Sequence, residues 1–209
     1  MLPEPGQTAP EDFDGVDIAA TAIPEVIRLT PKRFGDARGF FAETYSRRAL
    51  AEAGIDIDFV QDNLAYSRAA GTVRGLHFQA PAAQAKLVGV VTGAVLDVAL
   101  DIRGGSPTFG RHVAVTLTAA AGEQLLVPVG FAHGYCTLEP DTRVAYKVSD
   151  VYAPEHERGI LWHDPALAIR WPVAPADAEV SERDRSWPRL DQIESPFAYA
   201  AGRAQGAAR

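Results

Sequence analysis

Short runs in which apolar residues recur at every second position fill the middle of this chain. Residues 94–102 are the clearest example, because Leu96, Val98 and Leu100 share one face of an extended segment, and we expect that face to be core. Similar runs cover residues 86–91, 112–118, 124–127, 134–138 and 143–148, with turn-forming clusters such as residues 104–107 between them. Many short strands at regular intervals predict an all-β sandwich or barrel, and a jelly roll is one such fold that protects its strand edges.

Helical signals are few. Ser46 can cap a helix over residues 47–53 that Gly54 ends, and Ser181 can open a short helix running towards Trp187. With 47% of its 209 residues hydrophobic, the chain can bury one core and needs no second domain. We expect that domain at residues 21–190, with frayed tails at residues 1–20 and 191–209.

Charge and composition restrict the partners. A formal net charge of −7 gives no general attraction to nucleic acid, so no nucleic-acid partner is expected. The acidic, Pro-rich N-terminus is no signal peptide and nothing is long enough to cross a bilayer, which predicts a cytoplasmic protein without a membrane partner. The single cysteine, Cys136, excludes an intrachain disulfide and is expected to be a small buried hydrophobe.

One histidine lies close in sequence to fixed positive charges. Arg74-Gly75-Leu76-His77-Phe78-Gln79 is followed shortly by Lys86, all on β-like segments. Histidine has an unperturbed pKa of roughly 6.5, so neutral His77 could take a proton from a substrate while the cations hold its negative charge. The pattern predicts proton chemistry on an anionic ligand, although an isolated histidine in a strand is more often structural.

A metal site is the first alternative to test. Residues 128–133 have the P-x-G-x-x-H form that many metal-binding cupin barrels contain. Metal cupins also need an H-x-H pair followed by a glutamate, whereas Gln79 stands two positions after His77 and residues 78–122 contain no glutamate. Only His77 and His133 remain as ligands, and a catalytic metal generally needs at least three, so no metal is expected.

A series of motifs resembles the dTDP-4-dehydrorhamnose 3,5-epimerase family in order and spacing. These motifs lie at residues 34–41, 59–63, 74–79, 106–110, 128–134, 146–147, 161–165 and 169–172. The resemblance covers about residues 21–190 and implies a cupin that uses no metal or cofactor and is usually a homodimer. It also implies the substrate, a dTDP-linked 4-keto-6-deoxyglucose on the pathway to dTDP-L-rhamnose.

The resemblance assigns the chemistry to named residues. A hydrogen beside a ketone becomes removable when its charge can spread onto the carbonyl oxygen as an enolate. The resemblance implies His77 as the base at C3 and C5, Lys86 near the developing oxyanion, and Tyr146 as the acid on the opposite face of the sugar. Tyrosine has a pKa of about 10 and stays protonated at neutral pH. Without the resemblance, Tyr146 reads as an ordinary core aromatic.

Asp184 has two interpretations. The sequence from Ser181 to Asp184 resembles a capping box, in which an acidic side chain satisfies the helix N-terminus. The resemblance instead makes Asp184 the carboxylate that hydrogen-bonds His77 and stabilises its charged form. Asp164 is the alternative partner, but its turn context favours a role in shaping a loop.

The resemblance further implies eight substrate-binding residues. Arg74, Arg38 and His133 suit the diphosphate or sugar, Glu43 and Gln61 suit the nucleoside, Asn63 lies in the same motif, and Phe34 and Tyr152 suit thymine stacking. Phe34 is expected from the partner subunit, which makes dimerisation part of the site.

Three residues depart from the family pattern. Val151 stands where the family often has an aromatic residue, Tyr135 where phenylalanine is common, and Leu64 where histidine is frequent. We expect all three near the sugar pocket. Two other functions therefore stay open, a monoepimerase that inverts only C3 or C5 and a nucleotide-sugar-binding protein without catalysis. Binding alone needs neither a base nor an opposed acid, which favours an enzyme.

Overall fold

The structure is a computed structural model that describes residues 15–200. Its strands are β1 (Val16–Ala20), β2 (Ile27–Pro31), β3 (Phe34–Asp36), β4 (Gly39–Phe41), β5 (Gln61–Ser67), β6 (Val73–Gln79), β7 (Lys86–Thr92), β8 (Ala94–Asp101), β9 (His112–Thr118), β10 (Gln124–Val127), β11 (Phe131–Thr137), β12 (Thr142–Val148) and β13 (Glu157–Gly159). Its α-helices are α1 (Arg47–Glu52) and α2 (Glu182–Arg185), and single 3₁₀ turns lie at Pro154–His156, Pro165–Leu167 and Leu190–Gln192.

Two antiparallel sheets face each other. The larger sheet has the strand order β1-β2-β10-β7-β12-β5, and the smaller one has the order β13-β6-β11-β8-β9. Strands β3 and β4 form a separate hairpin. Apart from the neighbours β1–β2 and β8–β9, adjacent strands in each sheet are distant in sequence, so the chain crosses repeatedly between the layers. This arrangement confirms the predicted all-β, cupin-like jelly-roll sandwich with a few short helices.

The core lies between the sheets and also behind the smaller one. Between the sheets, Val88 and Val144 of the larger sheet pack with Val95 and Ala99 of the smaller sheet. The face of β8 that we expected to be core, which includes Val98, is buried as expected, and it packs against the segments behind the smaller sheet. Strand β8 is therefore covered on both sides, and alternation alone could not tell which side faces the second sheet.

Both predicted helices are confirmed, with their caps. The Ser46 hydroxyl accepts a hydrogen bond from the Ala49 N–H at 3.3 Å, and Gly54 follows the helix with a φ of 84°. The Ser181 hydroxyl accepts from the Asp184 N–H at 3.1 Å and opens α2. Each hydroxyl satisfies an amide that the helix itself leaves unpaired.

The folded region extends beyond the predicted limits of residues 21–190. Strand β1 pairs with β2 over its whole length, so residues 16–20 are not a tail. At the other end, the Tyr199 N–H donates to the Gly104 carbonyl at 2.9 Å, and the Phe197 ring lies 5.9 Å from that of Phe78. A five-residue strand within an acidic, Pro-rich stretch has too little alternation to recognise. Residues 1–14 and 201–209 of the predicted tails lie outside the described residues.

The loop over residues 106–110 is held by a buried carboxylate. Asp101 accepts hydrogen bonds from Ser106 and Thr108, both at 2.6 Å, and from two nitrogens of Arg103 at 2.9 and 2.7 Å. Burial alone would raise the pKa of Asp101, but these hydrogen bonds lower it below its usual value. Arg103 also pairs with Glu25 at 2.9 Å, so the loop is tied to a distant segment of the chain.

Gly75 lies where two backbones nearly touch. A Cβ at this position would lie 2.6 Å from the Cα of Gly134 and 2.7 Å from the carbonyl oxygen of His133, and the φ of Gly75 is 118°. Only glycine meets both conditions without strain. The register between β6 and β11 shifts here, since His77 pairs with His133 while Arg74 pairs with Tyr135. The bulge therefore places Arg74 and His77, three residues apart, on the same inner face.

Replacing Gly75 by alanine should destabilise the fold strongly. Gly105→Ala is the matched control, because Gly105 also has a positive φ of 81° but a methyl group there would meet no atom within 4 Å. We expect Gly105→Ala to cost about 1 kcal/mol from backbone strain, and Gly75→Ala about 3 kcal/mol because β11 must also move. Urea unfolding measures both free energies, and equal losses would contradict the close contact.

Candidate active site

The inner faces of the two sheets bring most of the predicted site residues together. On the smaller sheet, His77 pairs with His133, and Tyr135 pairs with both Arg74 and Asp97. On the larger sheet, Tyr146 pairs with Asn63 and Val88, and Lys86 lies two positions from Val88 on the same strand. Paired residues on neighbouring strands project to the same face, so these side chains line one cleft.

His77 and Asp184 form a hydrogen-bonded pair. The Nε2 atom of His77 lies 2.6 Å from Oδ1 of Asp184. The Gly75 N–H donates to the other carboxylate oxygen at 3.3 Å, and the Trp187 indole N–H donates to Oδ1 at 3.2 Å. Burial alone would raise the pKa of Asp184, but these donors lower it, so the carboxylate is ionised and accepts a proton-bearing Nε2. The Nδ1 atom of His77 is then the basic nitrogen.

This geometry bears on the two interpretations of Asp184. The backbone N–H of Asp184 receives the Ser181 cap, while its carboxylate points to His77. One residue therefore occupies the helix start and contacts the histidine. Asp164 instead accepts from the N–H groups of Ala166 and Leu190, both at 3.0 Å, and shapes a loop as predicted.

Trp187 packs behind the pair and depends on a glycine. Its ring lies edge-on to His77 at a centroid distance of 6.3 Å. A Cβ on Gly159 would come within 2.5 Å of the same ring. Gly159 pairs with His77 across β13 and β6, so its missing side chain gives the indole its place beside the histidine.

Lys86 is a buried cation that lies near enough to two carboxylates, those of Glu157 and Asp97, to be affected by their charges. The residue is 9% exposed. Burial lowers the pKa of Lys86 to about 8, while the negative charges of Glu157 and Asp97 oppose that shift. Sequence analysis missed both carboxylates. Asp97 offered a signal, as a charged residue flanked by apolar residues within β8, whereas Glu157 begins the three-residue strand β13, which is too short to show a pattern.

Glu157 connects several site residues. Its carboxylate lies 4.0 Å from His77 Nδ1, accepts a hydrogen bond from the Tyr152 hydroxyl at 2.9 Å, and forms an ion pair with Arg183. Asp97 is to His133 what Asp184 is to His77, since Nε2 of His133 lies 3.0 Å from both carboxylate oxygens of Asp97. Each cleft histidine therefore has a carboxylate partner on Nε2.

Tyr146 lies on the sheet opposite His77. Burial raises the pKa of its hydroxyl, the positive charge of Arg74 counteracts this, and Glu157 and Tyr152 add to the rise. Arg74 is held at the cleft rim by Ser67 at 3.3 Å and by the Tyr66 carbonyl at 3.0 Å. The Arg74 guanidinium, which extends from the smaller sheet to the Ser67 and Tyr66 atoms of the larger one, therefore lies near enough to act on the Tyr146 phenol.

The remaining residues that we expected to bind the substrate divide into two groups. Gln61 donates to Asn63 at 2.8 Å and accepts from the Tyr152 N–H at 3.0 Å, so these three lie together beside the cleft. The others lie on an exposed segment. Phe34 and Arg38 belong to the β3–β4 hairpin, where Arg38 pairs with Asp36.

Glu43, which follows this hairpin, is also exposed, and no contact in the described chain joins it, Phe34 or Arg38 to His77 or Tyr146. Within residues 15–200, no group of three or more histidine, cysteine or acidic residues is arranged to hold a metal ion. None of the helices in that range is both long enough and apolar enough to cross a membrane.

The model of the dTDP-4-dehydrorhamnose 3,5-epimerase family matches residues 20–192. The chain belongs to this family. A dTDP-4-dehydrorhamnose 3,5-epimerase of Sinorhizobium fredii is 44% identical over 189 residues, which are 90% of this chain and 96% of that protein. Its relatives are thus epimerases, enzymes of the isomerase class.

Solved structures of the family have the same fold. The dTDP-6-deoxy-D-glucose-3,5-epimerase of Legionella pneumophila, in complex with dTDP-4-keto-L-rhamnose, is 42% identical with a TM-score of 0.84, over 89% of this chain and 100% of that one. A 3'-monoepimerase of Streptomyces bikiniensis, in complex with dTDP-quinovose, is 32% identical with a TM-score of 0.76, over 82% of this chain and 87% of that one.

Of the three departures from the family pattern, Tyr135 lies in the cleft and Leu64 does not. Leu64 is 67% exposed and projects from the outer face of β5, and Val151 is 56% exposed. The expectation that Leu64 borders the sugar pocket is therefore wrong, because Leu64 alternates with the inward Asn63 and projects away from the space between the sheets, whereas the placement of Val151 near the pocket stays a prediction. Tyr135 is buried within that space.

Lys86 should titrate near pH 8 in the ligand-free protein. Burial disfavours its charged form, so the ammonium ion is present below that pH and is lost as the pH rises through it. A lysine side-chain NMR titration measures this, with the Lys86→Met variant identifying the signal by its absence. A Lys86 signal that titrates at the ordinary value of 10.5 would contradict the buried placement.

Proposed function

We propose that this chain epimerises C3 and C5 of dTDP-4-dehydro-6-deoxy-D-glucose to give dTDP-4-dehydro-L-rhamnose. The observation that carries the proposal is the opposed pair in the cleft, with His77 on the smaller sheet and Tyr146 on the larger. Inverting a carbon beside a ketone requires a base on one face of the ring and an acid on the other. The family membership and the dTDP-sugar complex of the Legionella relative support the substrate.

Proton removal falls to Nδ1 of His77. Because ionised Asp184 holds the proton of Nε2, the lone pair of the ring is on Nδ1, the nitrogen that faces Glu157. When Nδ1 takes the proton from C3 or C5, the imidazolium gains two negative neighbours, Asp184 and Glu157. Their charges stabilise the protonated base without any rearrangement of the site.

The electron pair left by the proton moves onto the C4 ketone oxygen. Lys86 supplies the positive charge for that enolate from the buried floor of the cleft, where the low dielectric strengthens the interaction. Its pKa of about 8 leaves it mostly protonated at neutral pH. Each step uses a side chain of this protein, so no metal or cofactor is required, and activity should survive treatment with a chelator.

Tyr146 returns a proton to the opposite face. Burial keeps its hydroxyl neutral until the enolate forms, and Arg74 favours the phenolate that the transfer leaves behind. The His77 imidazolium then releases its proton to solvent and the Tyr146 phenolate takes one from solvent, which resets both groups for the second carbon. Because the C4 ketone activates both neighbouring carbons, one base and one acid can serve C3 and C5 in turn.

Five of the predicted binding residues lie where they can hold the substrate. Arg74, His133, Gln61, Asn63 and Tyr152 line the cleft or its rim, where they can hold the diphosphate, sugar and nucleoside of the substrate.

We also propose a cytoplasmic homodimer in which Phe34, Arg38 and Glu43 reach the partner's cleft. The hairpin exposes Phe34, Phe40 and Phe41 by 54, 61 and 71%, an apolar surface that a second copy would cover. Sedimentation velocity tests the dimer, and a monomer would contradict it.

A monoepimerase is the second candidate. The likeness to a 3'-monoepimerase favours it, since one acid–base pair serves either outcome. A binding protein without catalysis has less support, because the His77–Asp184 pair and Tyr146 have no function in binding alone.

Incubation with dTDP-4-keto-6-deoxyglucose in deuterated buffer separates these functions. We expect NMR to show deuterium at both C3 and C5, since each carbon exchanges its proton with a solvent-derived one. Deuterium at one carbon alone would establish a monoepimerase, and deuterium at neither would leave a binding protein.

Asp184→Asn is the matched variant for this experiment. The amide keeps the size of the side chain and leaves the Ser181 cap intact, because the cap uses the backbone N–H. Without the negative charge, we expect deuterium incorporation to slow by about a hundredfold or more at both carbons, with an unchanged circular dichroism spectrum. An undiminished rate would show that the Asp184 carboxylate does not support His77 in catalysis and that the residue serves only at the start of α2.

A further inference from the structure

One buried hydroxyl in the cleft takes no part in the steps above. Tyr135 is 4% exposed and packs within the core between the sheets, yet its hydroxyl has no hydrogen-bond partner among the described residues. Ser67 lies near enough to lower its pKa, but the two hydroxyls are not in hydrogen-bonding geometry. A phenylalanine would fill the same space without burying an unsatisfied polar group, so the hydroxyl calls for an explanation.

The position of Tyr135 indicates what its hydroxyl faces. Its neighbours in the sheet are Arg74 on one side and Asp97 on the other, and its ring lies 6.4 Å from that of His133. The charge of Arg74 lowers the pKa of both Tyr135 and Tyr146, and the two phenols influence each other. Tyr135 therefore lies beside Arg74 and His133, which suit the diphosphate or sugar, and near enough to the proposed acid Tyr146 for the two phenols to interact.

The chemistry of the group restricts the ligand atom. Burial, opposed by Arg74 and Ser67 but reinforced by Tyr146 and Asp97, raises the pKa of the Tyr135 hydroxyl well above its ordinary value, so it is neutral at any working pH. A neutral phenol donates one hydrogen bond and accepts others, which suits a hydroxyl or carbonyl oxygen. An apolar ligand group, such as a methyl, would leave the hydroxyl as unsatisfied as before.

We propose that Tyr135 is a substrate-binding residue whose hydroxyl hydrogen-bonds an oxygen of the sugar held between His77 and Tyr146. The proposal rests on the function proposed above and adds one contact to it. The contact is made to the sugar and not to the nucleotide. Removing the hydroxyl should therefore weaken turnover of the sugar nucleotide without weakening the binding of dTDP.

The test compares Tyr135→Phe with the unmodified enzyme on two ligands. With dTDP-4-keto-6-deoxyglucose, we expect kcat/KM for deuterium incorporation to fall about tenfold, the equivalent of one lost hydrogen bond. The Kd for dTDP, measured by calorimetry, should not change, because dTDP has no sugar beyond its deoxyribose. Tyr199→Phe is the matched control, since it removes a phenol hydroxyl whose ring lies over Arg103, outside the cleft.

Each outcome decides the proposal. An unchanged kcat/KM in Tyr135→Phe would overturn it while leaving the proposed function intact, since the unmodified enzyme would still exchange both protons. Equal losses in kcat/KM and in dTDP affinity would also overturn it, because they would show a general packing role. Absence of exchange in the unmodified enzyme is the separate failure of the proposed function.

Discussion

The contact between Gly75 and Gly134 is the constraint on which the rest of the cleft depends. The two backbones lie so close that neither residue can carry a Cβ, since a methyl on Gly134 would lie 2.6 Å from the Arg74 carbonyl oxygen. This approach produces the bulge in β6 that turns Arg74 and His77 to the same face. The Gly75 N–H is also released from the sheet and donates to Asp184, the partner of His77. One glycine thus places a cation, a base and the carboxylate that orients the base.

The second requirement is a balance of charge in a nearly dry space. Isolated charges are costly to bury, and the cleft meets this cost by placing opposite charges beside its buried ions. Lys86 is influenced by both Asp97 and Glu157, Glu157 also pairs with Arg183, and Asp97 holds His133. The same arrangement that makes burial tolerable also prepares the site for catalysis, because the enolate and the imidazolium each meet a fixed opposite charge.

Much of the framework could be predicted from the sequence, because β-strands leave a period-two pattern and helix caps leave a local signature. The strands from β7 to β12 and both caps are recognisable in this way. The motif series points to His77, Lys86 and Tyr146, and the structure brings them to one cleft.

Other features had no local signal. Strict alternation would put Arg74 and His77 on opposite faces, and only the three-dimensional contact at Gly134 reveals the bulge. Glu157 lies on a three-residue strand after a 3₁₀ turn, where no periodicity exists to mark its direction. The strand at Val16–Ala20 is similarly short, which is why the predicted domain began too late.

The central claim is that a base on one sheet and an acid on the other act on opposite faces of one sugar. The most direct measurement is the configuration of the sugar recovered after Tyr146→Phe is incubated with dTDP-4-keto-6-deoxyglucose in deuterated buffer. Without the acid, His77 can still remove a proton and return deuterium to the same face, so we expect deuterium at C3 and C5 with retained configuration and no inverted product. Inverted product formed at the rate of the unmodified enzyme would contradict the account.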